Sequence, residues 1–263
     1  MHKDIRIVSF EDSEGLANSF VDLVEKYLYS RLLEANPKPI GLPTGRTMIP
    51  IYKLLVDRLL LWPERELNEL IHGWESFNLD EYIGLSLDDI NSYRYFMFKY
   101  LGEPLGLKQN QLRVPSGETE EPEKEAYSYS KDLRFKGGLG FLILGLGVNG
   151  HIGFNEPPCS SDSCTRVVNL SKETRTQNSF SFGGNIDNVP TRAISIGIKE
   201  ILSADEIHLV VTGIEKAEIL YELLHQNCSK SLPASWLKLH QKTYVWADKY
   251  ALTKVRLKGL NTH

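Results

Sequence analysis

The sequence predicts an α/β fold: a doubly wound, mostly parallel sheet with helices on both faces, in a three-layer, Rossmann-like arrangement. Three observations predict it. Short, continuous apolar runs, typical of strands buried on both faces of a parallel sheet, recur along the 263 residues. They alternate with segments in which apolar residues return every three or four positions, as in amphipathic helices. Glycine-rich or polar turns follow several of the apolar runs.

The apolar runs give the strands in chain order. The first is a weakly alternating edge strand and the others are buried; they cover residues 5–10, 40–42, 74–79, 141–144, 193–198, 207–212 and 243–247. Helices are predicted over residues 16–33 and 49–61, from 88 onward, after 125 and ending before 137, from about 215 onward, and over 234–240. Residues 116–125 are acidic and are interpreted as an exposed loop. No change of composition accompanies this loop, so residues 1–263 are predicted to form a single domain.

Composition excludes several classes of protein. The formal net charge of −4 provides no general affinity for nucleic acid, which would require a basic face. No run of about 18 apolar residues exists that would span a bilayer, and the start, MHKDIRIVSF, is too charged for a signal peptide. The three cysteines fit neither a zinc site nor a disulfide framework. We therefore expect a cytoplasmic protein that binds neither nucleic acid nor membrane.

The centre of the predicted site is the stretch from Phe141 to Pro157, FLILGLGVNGHIGFNEP. Its apolar run ends in a turn with three glycines, which let a backbone turn sharply and approach a ligand closely. Asn149, His151 and Glu156 follow at the carboxyl end of a predicted strand, where open α/β folds bind their ligands. The alternative is an ordinary turn whose histidine and glutamate are merely solvated.

Two strand-to-helix turns are candidate anion sites. In the first, Thr44, Gly45, Arg46 and Thr47 precede a predicted helix, whose free N–H groups and dipole favour a phosphate. The spacing of a P-loop is absent, and a plain connection between strand and helix fits this turn as well. In the second, Lys216 lies in the first turn of a helix, where anionic side chains are preferred. A cation at this position hints that an anion binds there.

Acidic residues and a long polar segment complete the predicted site. Asp80 and Glu81 follow the predicted strand 74–79, and their position favours a helix cap over a catalytic base.

Residues 158–190 are polar, contain Arg175 and are interpreted as a lid, the alternative being a surface excursion. If the strand ends meet along one edge of the sheet, anion-binding turns and acid/base groups share one crevice. Such a crevice fits a phosphorylated small metabolite.

Four motifs make the sequence resemble the glucosamine-6-phosphate deaminase (isomerase) family. They are GLPTGRT near residue 44, FNLDEYIGL around Asp80, LGLGVNGHIGFNEP around His151 and TGIEKAEIL around Lys216. SYRYFM at 92–97 and TRTQNSF at 174–180 also match, and the resemblance covers nearly the whole chain in order. It implies conversion of glucosamine 6-phosphate and water to fructose 6-phosphate and ammonia.

The resemblance also implies a role for each matching residue. His151 would open the sugar ring by moving a proton between the anomeric hydroxyl and the ring oxygen, with Glu156 holding and charge-tuning its imidazole. Asp80 would take the C2 proton of the open-chain aldose and return one to C1, after which the imine hydrolyses. No metal or organic cofactor is needed, because the substrate's own carbonyl acidifies C2. The phosphate would be held by Thr44, Gly45, Thr47, Arg175 and Lys216.

Three departures from the family pattern affect these expectations. Asn149 stands where some members have Asp, so the charge on the imidazole would rest more on Glu156. Arg46 occupies a position usually held by a small residue, where it would add a phosphate contact or alter which sugar epimer fits. Cys159 and Val168 stand where some members use a Ser and a Lys to bind an N-acetyl amino-sugar phosphate activator, so no such activation is expected.

The resemblance leaves alternatives open. A galactosamine-6-phosphate deaminase/isomerase giving tagatose 6-phosphate would share the fold and chemistry, and Arg46 keeps it open. The related 6-phosphogluconolactonase has a similar glycine turn, but the continuation FNEP and the acid of DEY favour the deaminase. The presence of every acid/base residue argues against a non-catalytic sugar-phosphate sensor. Family members assemble as monomers, dimers, trimers or hexamers, so a homo-oligomer also stays open.

Overall fold

Ten strands lie within residues 5–256, the part of the chain that the computed structural model describes. They are β1 (Arg6–Phe10), β2 (Ile40–Leu42), β3 (Ser76–Asn78), β4 (Asp80–Tyr82), β5 (Leu112–Arg113), β6 (Phe141–Gly145), β7 (Arg166–Asn169), β8 (Arg192–Ser195), β9 (Glu206–Val211) and β10 (Thr243–Asp248). Seven of them form a parallel sheet in the order β1-β10-β9-β6-β2-β3-β5. The predicted edge strand near the start is therefore confirmed.

The α-helices of the same residues connect these strands. They are α1 (Ser13–Arg31), α2 (Met48–Leu59), α3 (Glu64–His72), α4 (Tyr93–Met97), α5 (Glu103–Leu105), α6 (Pro122–Phe135), α7 (Lys172–Asn178), α8 (Ile198–Leu202), α9 (Ala217–His225) and α10 (Thr253–Arg256). A π-helical turn, Phe98–Gly102, joins α4 to α5. The segment predicted as a helix over 234–240 is a 3₁₀ helix, Pro233–Leu239.

Apolar side chains on both faces of β6 explain the three layers. Phe141 and Ile143 are buried in a cluster with residues of α1 and α2. Leu142 and Leu144 point to the opposite face, into a cluster with residues of α6, α8 and α9. Burying one such side chain contributes roughly 1.5–3 kcal/mol. The continuous apolar run thus corresponds to a strand covered by helices on both sides, as predicted.

The strand order confirms the doubly wound topology. From β2 the chain proceeds outward through β3 to β5, and it then returns to β6, on the other side of β2. From β6 it proceeds in the opposite direction to β9 and β10. The switch point therefore lies between β2 and β6, and the crevice at their carboxyl ends is where folds of this kind bind ligands.

A second, three-stranded sheet was not predicted. The apolar run 193–198 was expected in the main sheet, but its strand, β8, pairs antiparallel with β4 and β7. β4 follows β3 after the single residue Leu79, so the predicted strand 74–79 ends earlier and a new one begins at Asp80. β7 lies within 158–190, which was expected to be irregular. A buried apolar run has the same composition in either sheet, so this pattern alone did not assign its partner.

Two local predictions change for identifiable reasons. The helix expected from residue 88 begins at Tyr93, because the Ser92 hydroxyl caps it by accepting a hydrogen bond from the Tyr95 N–H at 3.0 Å. The loop predicted over 116–125 ends before Pro122, where α6 begins, and it is not exposed throughout, since Gly117 is buried against β4. A Cβ at Gly117 would lie 2.1 Å from the carbonyl oxygen of Tyr82, so a larger residue there would displace the strand that carries Asp80.

Between residues 5 and 256, no helix combines the length and the apolar composition that crossing a bilayer requires.

Candidate active site

A cavity of about 940 Å³ opens at the switch point, at the carboxyl ends of β2 and β6. Small-molecule sites occupy clefts of roughly 300–1,000 Å³. The structure brings seven of the ten predicted site residues into its lining: Thr44, Gly45, Arg46, Thr47, Asp80, His151 and Lys216. The other three, Asn149, Glu156 and Arg175, lie outside this lining. Residues from distant parts of the sequence therefore do share one crevice, as the predicted topology requires.

The turn after β2 has the geometry of an anion site. Gly45 has a φ of +113°, a conformation that strongly favours glycine, and α2 begins three residues later. The first turn of α2 contains no acidic side chain, so its N–H groups and dipole are not already neutralised locally. Lys216, on the 3₁₀ turn before α9, lines the same cavity.

Arg46 lines the cavity together with Lys216 and Lys99, and its charge affects Lys216. Burial lowers the pKa of Lys216, and the positive charge of Arg46 lowers it further, while Glu215 opposes the shift. A phosphate bound beside Lys216 would oppose this lowering, because an anion stabilises the charged ammonium. This end of the cavity is therefore electrostatically suited to a phosphate.

His151 is positioned by the glycine turn. The turn allows its imidazole to lie directly on Gly147, where a Cβ would come within 2.3 Å of the ring. The imidazole Nδ1 lies 2.6 Å from the amide oxygen of Asn149. An amide oxygen only accepts hydrogen bonds, so Nδ1 carries the proton and Nε2 is left with its lone pair. Burial and then the charge of Lys216 lower the pKa of His151 to about 4, so the ring is neutral near pH 7.

The structure distinguishes the two adjacent carboxyls, Asp80 and Glu81. Glu81 is the cap: its carboxylate accepts hydrogen bonds from the N–H groups of Tyr82, Tyr93 and Arg94 at 2.8, 3.0 and 2.9 Å, respectively. The last two donors belong to the first turn of α4. Asp80 instead lines the cavity and is only 6% exposed. The preference for a cap was therefore right for Glu81 and wrong for Asp80.

The surroundings of the Asp80 carboxyl disfavour its charged form. Burial raises its pKa well above the usual range and the neighbouring Glu81 adds to the rise, against a hydrogen bond from the N–H of Phe154. Burial also raises the pKa of Glu81 to about 7 despite its three backbone donors. A carboxylate with a raised pKa is a stronger base once it is ionised, which suits proton abstraction from carbon.

The structure gives the imidazole a partner other than Glu156, the one expected. Glu156 accepts hydrogen bonds from the N–H of Ser171 at 3.2 and 3.3 Å, at the residue that caps α7. The partner of His151 is Asn149, so the expectation that Glu156 holds the ring is wrong for this conformation. The nearby Asn155 amide is buried and bonds the carbonyls of residues 152 and 196, so it has a structural role.

Arg175 is likewise engaged away from the cavity. Its guanidinium donates to the carbonyl oxygens of Ile186 at 2.8 Å and Val189 at 3.2 Å, both within segment 158–190. It braces that segment internally in this conformation. The segment reaches the cavity through other residues, between Gln177 and Phe182.

Sequence reasoning missed the aromatic lining of the cavity. Tyr93, in the helix that was predicted from residue 88 onward, lines the cavity together with Tyr82. The Tyr82 hydroxyl accepts a hydrogen bond from the Asn178 amide at 2.8 Å, and its ring packs edge-on against Phe182 at 5.5 Å. These contacts attach segment 158–190 to the strand that carries Asp80. In the sequence, Tyr82 and Asn178 were marked only by their place within the matched motifs DEY and TRTQNSF, and Phe182 lies outside the matched motifs.

The fold and this crevice define a class of α/β proteins in which the turn after a central strand, a histidine and a buried carboxyl line one cavity. The chain belongs to the family described as glucosamine-6-phosphate isomerases/6-phosphogluconolactonase, whose model matches residues 11–246. This confirms the resemblance inferred from the four motifs.

Individual relatives agree with the family assignment. A glucosamine-6-phosphate deaminase of Oceanobacillus iheyensis is 36% identical over 95% of this chain and 96% of its own length. One from Dictyostelium discoideum is 34% identical over 95% and 92%, respectively. A solved structure of a monomeric glucosamine-6-phosphate deaminase superposes with a TM-score of 0.86 at 34% identity, covering 95% of this chain and all of that one. A 6-phosphogluconolactonase from Trypanosoma cruzi, 16% identical over 97% and 98%, shares the fold with a TM-score of 0.76.

Proposed function

We propose that the protein is a glucosamine-6-phosphate deaminase, converting glucosamine 6-phosphate and water to fructose 6-phosphate and ammonia. The observation that carries the proposal is the cavity in which Asp80, His151, the turn after β2 and Lys216 meet. Relatives with this name, 34% identical or more over most of the chain, support it. The solved 6-phosphogluconolactonases, at 15–19% identity, share only the fold.

The substrate phosphate would bind at the amino end of α2. Its oxygens would accept hydrogen bonds from the N–H groups and hydroxyls of Thr44 and Thr47, and Arg46 and Lys216 would neutralise its charge. Arg175 would have to leave its two carbonyl partners to take part, so we assign it to bracing segment 158–190. This anchors the sugar with its reactive carbons toward Asp80 and His151.

Ring opening would use the neutral imidazole. Nε2 of His151 would take the proton of the anomeric hydroxyl and deliver it to the ring oxygen as the bond between that oxygen and C1 breaks. Asn149 fixes the tautomer that makes this atom a base. A pKa of about 4 keeps the ring unprotonated at neutral pH.

The open aldose would then meet Asp80. The ionised carboxylate removes the C2 proton, whose acidity comes from the adjacent aldehyde. The C2–H electron pair forms the C1–C2 double bond and the carbonyl pair moves to the C1 oxygen, which gives an enaminolate. Asp80 returns the proton to C1 as the nitrogen lone pair forms the C2–N double bond, and an N–H proton passes to the C1 oxygen, which leaves a ketimine at C2. Water adds to this ketimine, and ammonia leaves with the new carbonyl in its place.

Ammonia release from glucosamine 6-phosphate and galactosamine 6-phosphate, measured side by side, tests the proposal. We expect preference for the glucosamine substrate, without added metal. Preference for the other epimer would keep the mechanism and reassign the substrate, with Arg46 as the first residue to exchange. Ammonia from neither substrate would overturn the proposal, and hydrolysis of 6-phosphogluconolactone would then be measured.

Lys216→Ala should raise KM for the sugar phosphate by about 10- to 100-fold with little change in kcat, because a hydrogen bond to a charged group contributes roughly 1.5–3 kcal/mol. The variant should also raise the pKa of His151, because it removes the positive charge of Lys216, which disfavours the imidazolium. Steady-state kinetics and an NMR titration of the ring measure the two effects. Lys53→Ala, exposed on α2, is the control. An unchanged KM would remove Lys216 from the phosphate site.

A further inference from the structure

One contact joins the turn after β2 to segment 158–190 across the cavity. The guanidinium carbon of Arg46 lies 5.9 Å from the centroid of the Phe180 ring. Phe180 belongs to the 3₁₀ turn Ser179–Phe182 that follows α7, and both residues line the cavity. A distance of about 6 Å or less between a guanidinium and an aromatic ring is within the range of a cation–π interaction.

Phe180 is not held by the core that fixes its neighbours. Its ring is 77% exposed, whereas that of Phe182, two residues later, is 7% exposed and packs against Tyr82. An exposed phenylalanine at the rim of a cavity gains by covering a flat partner. The guanidinium of Arg46 provides such a partner, because its face can stack while its N–H edge stays free for phosphate oxygens.

The other candidate for linking this segment to a phosphate is already occupied. Arg175 donates to carbonyl oxygens of Ile186 and Val189, inside the segment. Arg46, in contrast, lies beside the Phe180 ring and close enough to Lys216 for its charge to lower the pKa of that lysine. Contact with the ring therefore helps to keep the guanidinium in the cavity before a phosphate binds.

We propose that Phe180 is a positioning residue for the phosphate site: its ring holds the Arg46 guanidinium ready for the phosphate of the substrate. When a phosphate binds Arg46, the guanidinium contacts both the phosphate and the Phe180 ring. The segment Ser179–Phe182 is thereby held over the cavity. The inference rests on the proposed function for the identity of the substrate, while the phosphate site itself is testable without turnover.

The test compares four variants. Phe180→Ala and Phe180→Leu remove the aromatic face, Phe180→Trp retains it, and Phe135→Ala, an equally exposed phenylalanine at the end of α6, is the matched control. The dissociation constant of inorganic phosphate, by calorimetry, and kcat and KM are measured for each. We expect the Ala and Leu variants to weaken phosphate binding and raise KM by about two- to five-fold, with kcat nearly unchanged. The Trp and Phe135 variants should match the wild type.

Dependence on Arg46 separates positioning from a general structural effect. In an Arg46→Ala background, Phe180→Leu should have no further effect on phosphate binding. Equal losses in both backgrounds, or wild-type phosphate binding by Phe180→Leu, would overturn the inference. A wild-type protein that releases no ammonia would refute the proposed function, yet an Arg46-dependent loss of phosphate binding in Phe180→Leu would still support the role of this ring.

Discussion

Asp80→Asn should lower kcat for ammonia release by about 10²–10⁴-fold, because the substituted amide cannot accept the C2 proton. Asn has nearly the shape of Asp and is neutral. Burial raises the pKa of Asp80 in the folded protein. The folded state therefore loses stability as the pH rises above the pKa that this carboxyl has in the unfolded chain, and a neutral amide avoids that loss. The variant should therefore fold, bind inorganic phosphate with wild-type affinity and lose only the chemical step.

Glu81→Gln is the matched control for Asp80→Asn. Glu81 has the adjacent carboxyl, is similarly buried and caps α4. Losing one of its backbone hydrogen bonds should cost about 0.5–1.5 kcal/mol of unfolding free energy, measured by denaturant titration, with kcat affected far less than in Asp80→Asn. If Asp80→Asn turns over like the wild type, or if Glu81→Gln loses more activity, the base has been misassigned.

His151→Gln should slow turnover by about 10²–10⁴-fold when the substrate is the closed ring. The reason is that glutamine has no nitrogen lone pair able to take the proton of the anomeric hydroxyl. Binding and turnover of an open-chain mimic, which skips ring opening, should be reduced much less. Both substrates are compared by steady-state kinetics at the same pH.

His225→Gln, on the exposed end of α9, controls for loss of an imidazole elsewhere in the protein. It should behave as the wild type on both substrates. Equal losses on the ring form and on the open-chain mimic in His151→Gln would contradict a role in ring opening. They would instead place His151 in binding or in the later proton transfers.

The turn after β2, the glycine turn and Lys216 were predictable because they lie on local patterns, whereas the role expected for Asp80 came from the resemblance. The apolar run of β6 followed by glycines identified a strand ending in a ligand-binding turn, and the sheet order confirms where that turn lies. The turn of Thr44–Thr47 and Lys216 showed the features of anion sites in the sequence itself. Their convergence needed only the general rule that ligands bind at the carboxyl ends of parallel strands.

Tertiary contacts account for what the sequence did not predict. Whether Asp80 or Glu81 would be the cap depends on which carboxyl faces α4, and two adjacent strand residues point to opposite sides. The partner of His151 depends on the path of the turn, which brings Asn149 to the ring and Glu156 to Ser171. The second sheet and the ring of Phe180 have no periodic signal, since β7 has only four residues and Phe180 lies in a 3₁₀ turn.

The most direct test of the account follows the C2 hydrogen. Glucosamine 6-phosphate carrying deuterium at C2 is incubated with the wild type and with Asp80→Asn, and NMR records loss of the label alongside ammonia release. The account predicts that the wild type removes the label as fructose 6-phosphate forms, whereas Asp80→Asn binds the sugar phosphate and leaves the label at C2. Loss of the label at the wild-type rate in Asp80→Asn would contradict the assignment of Asp80 as the base.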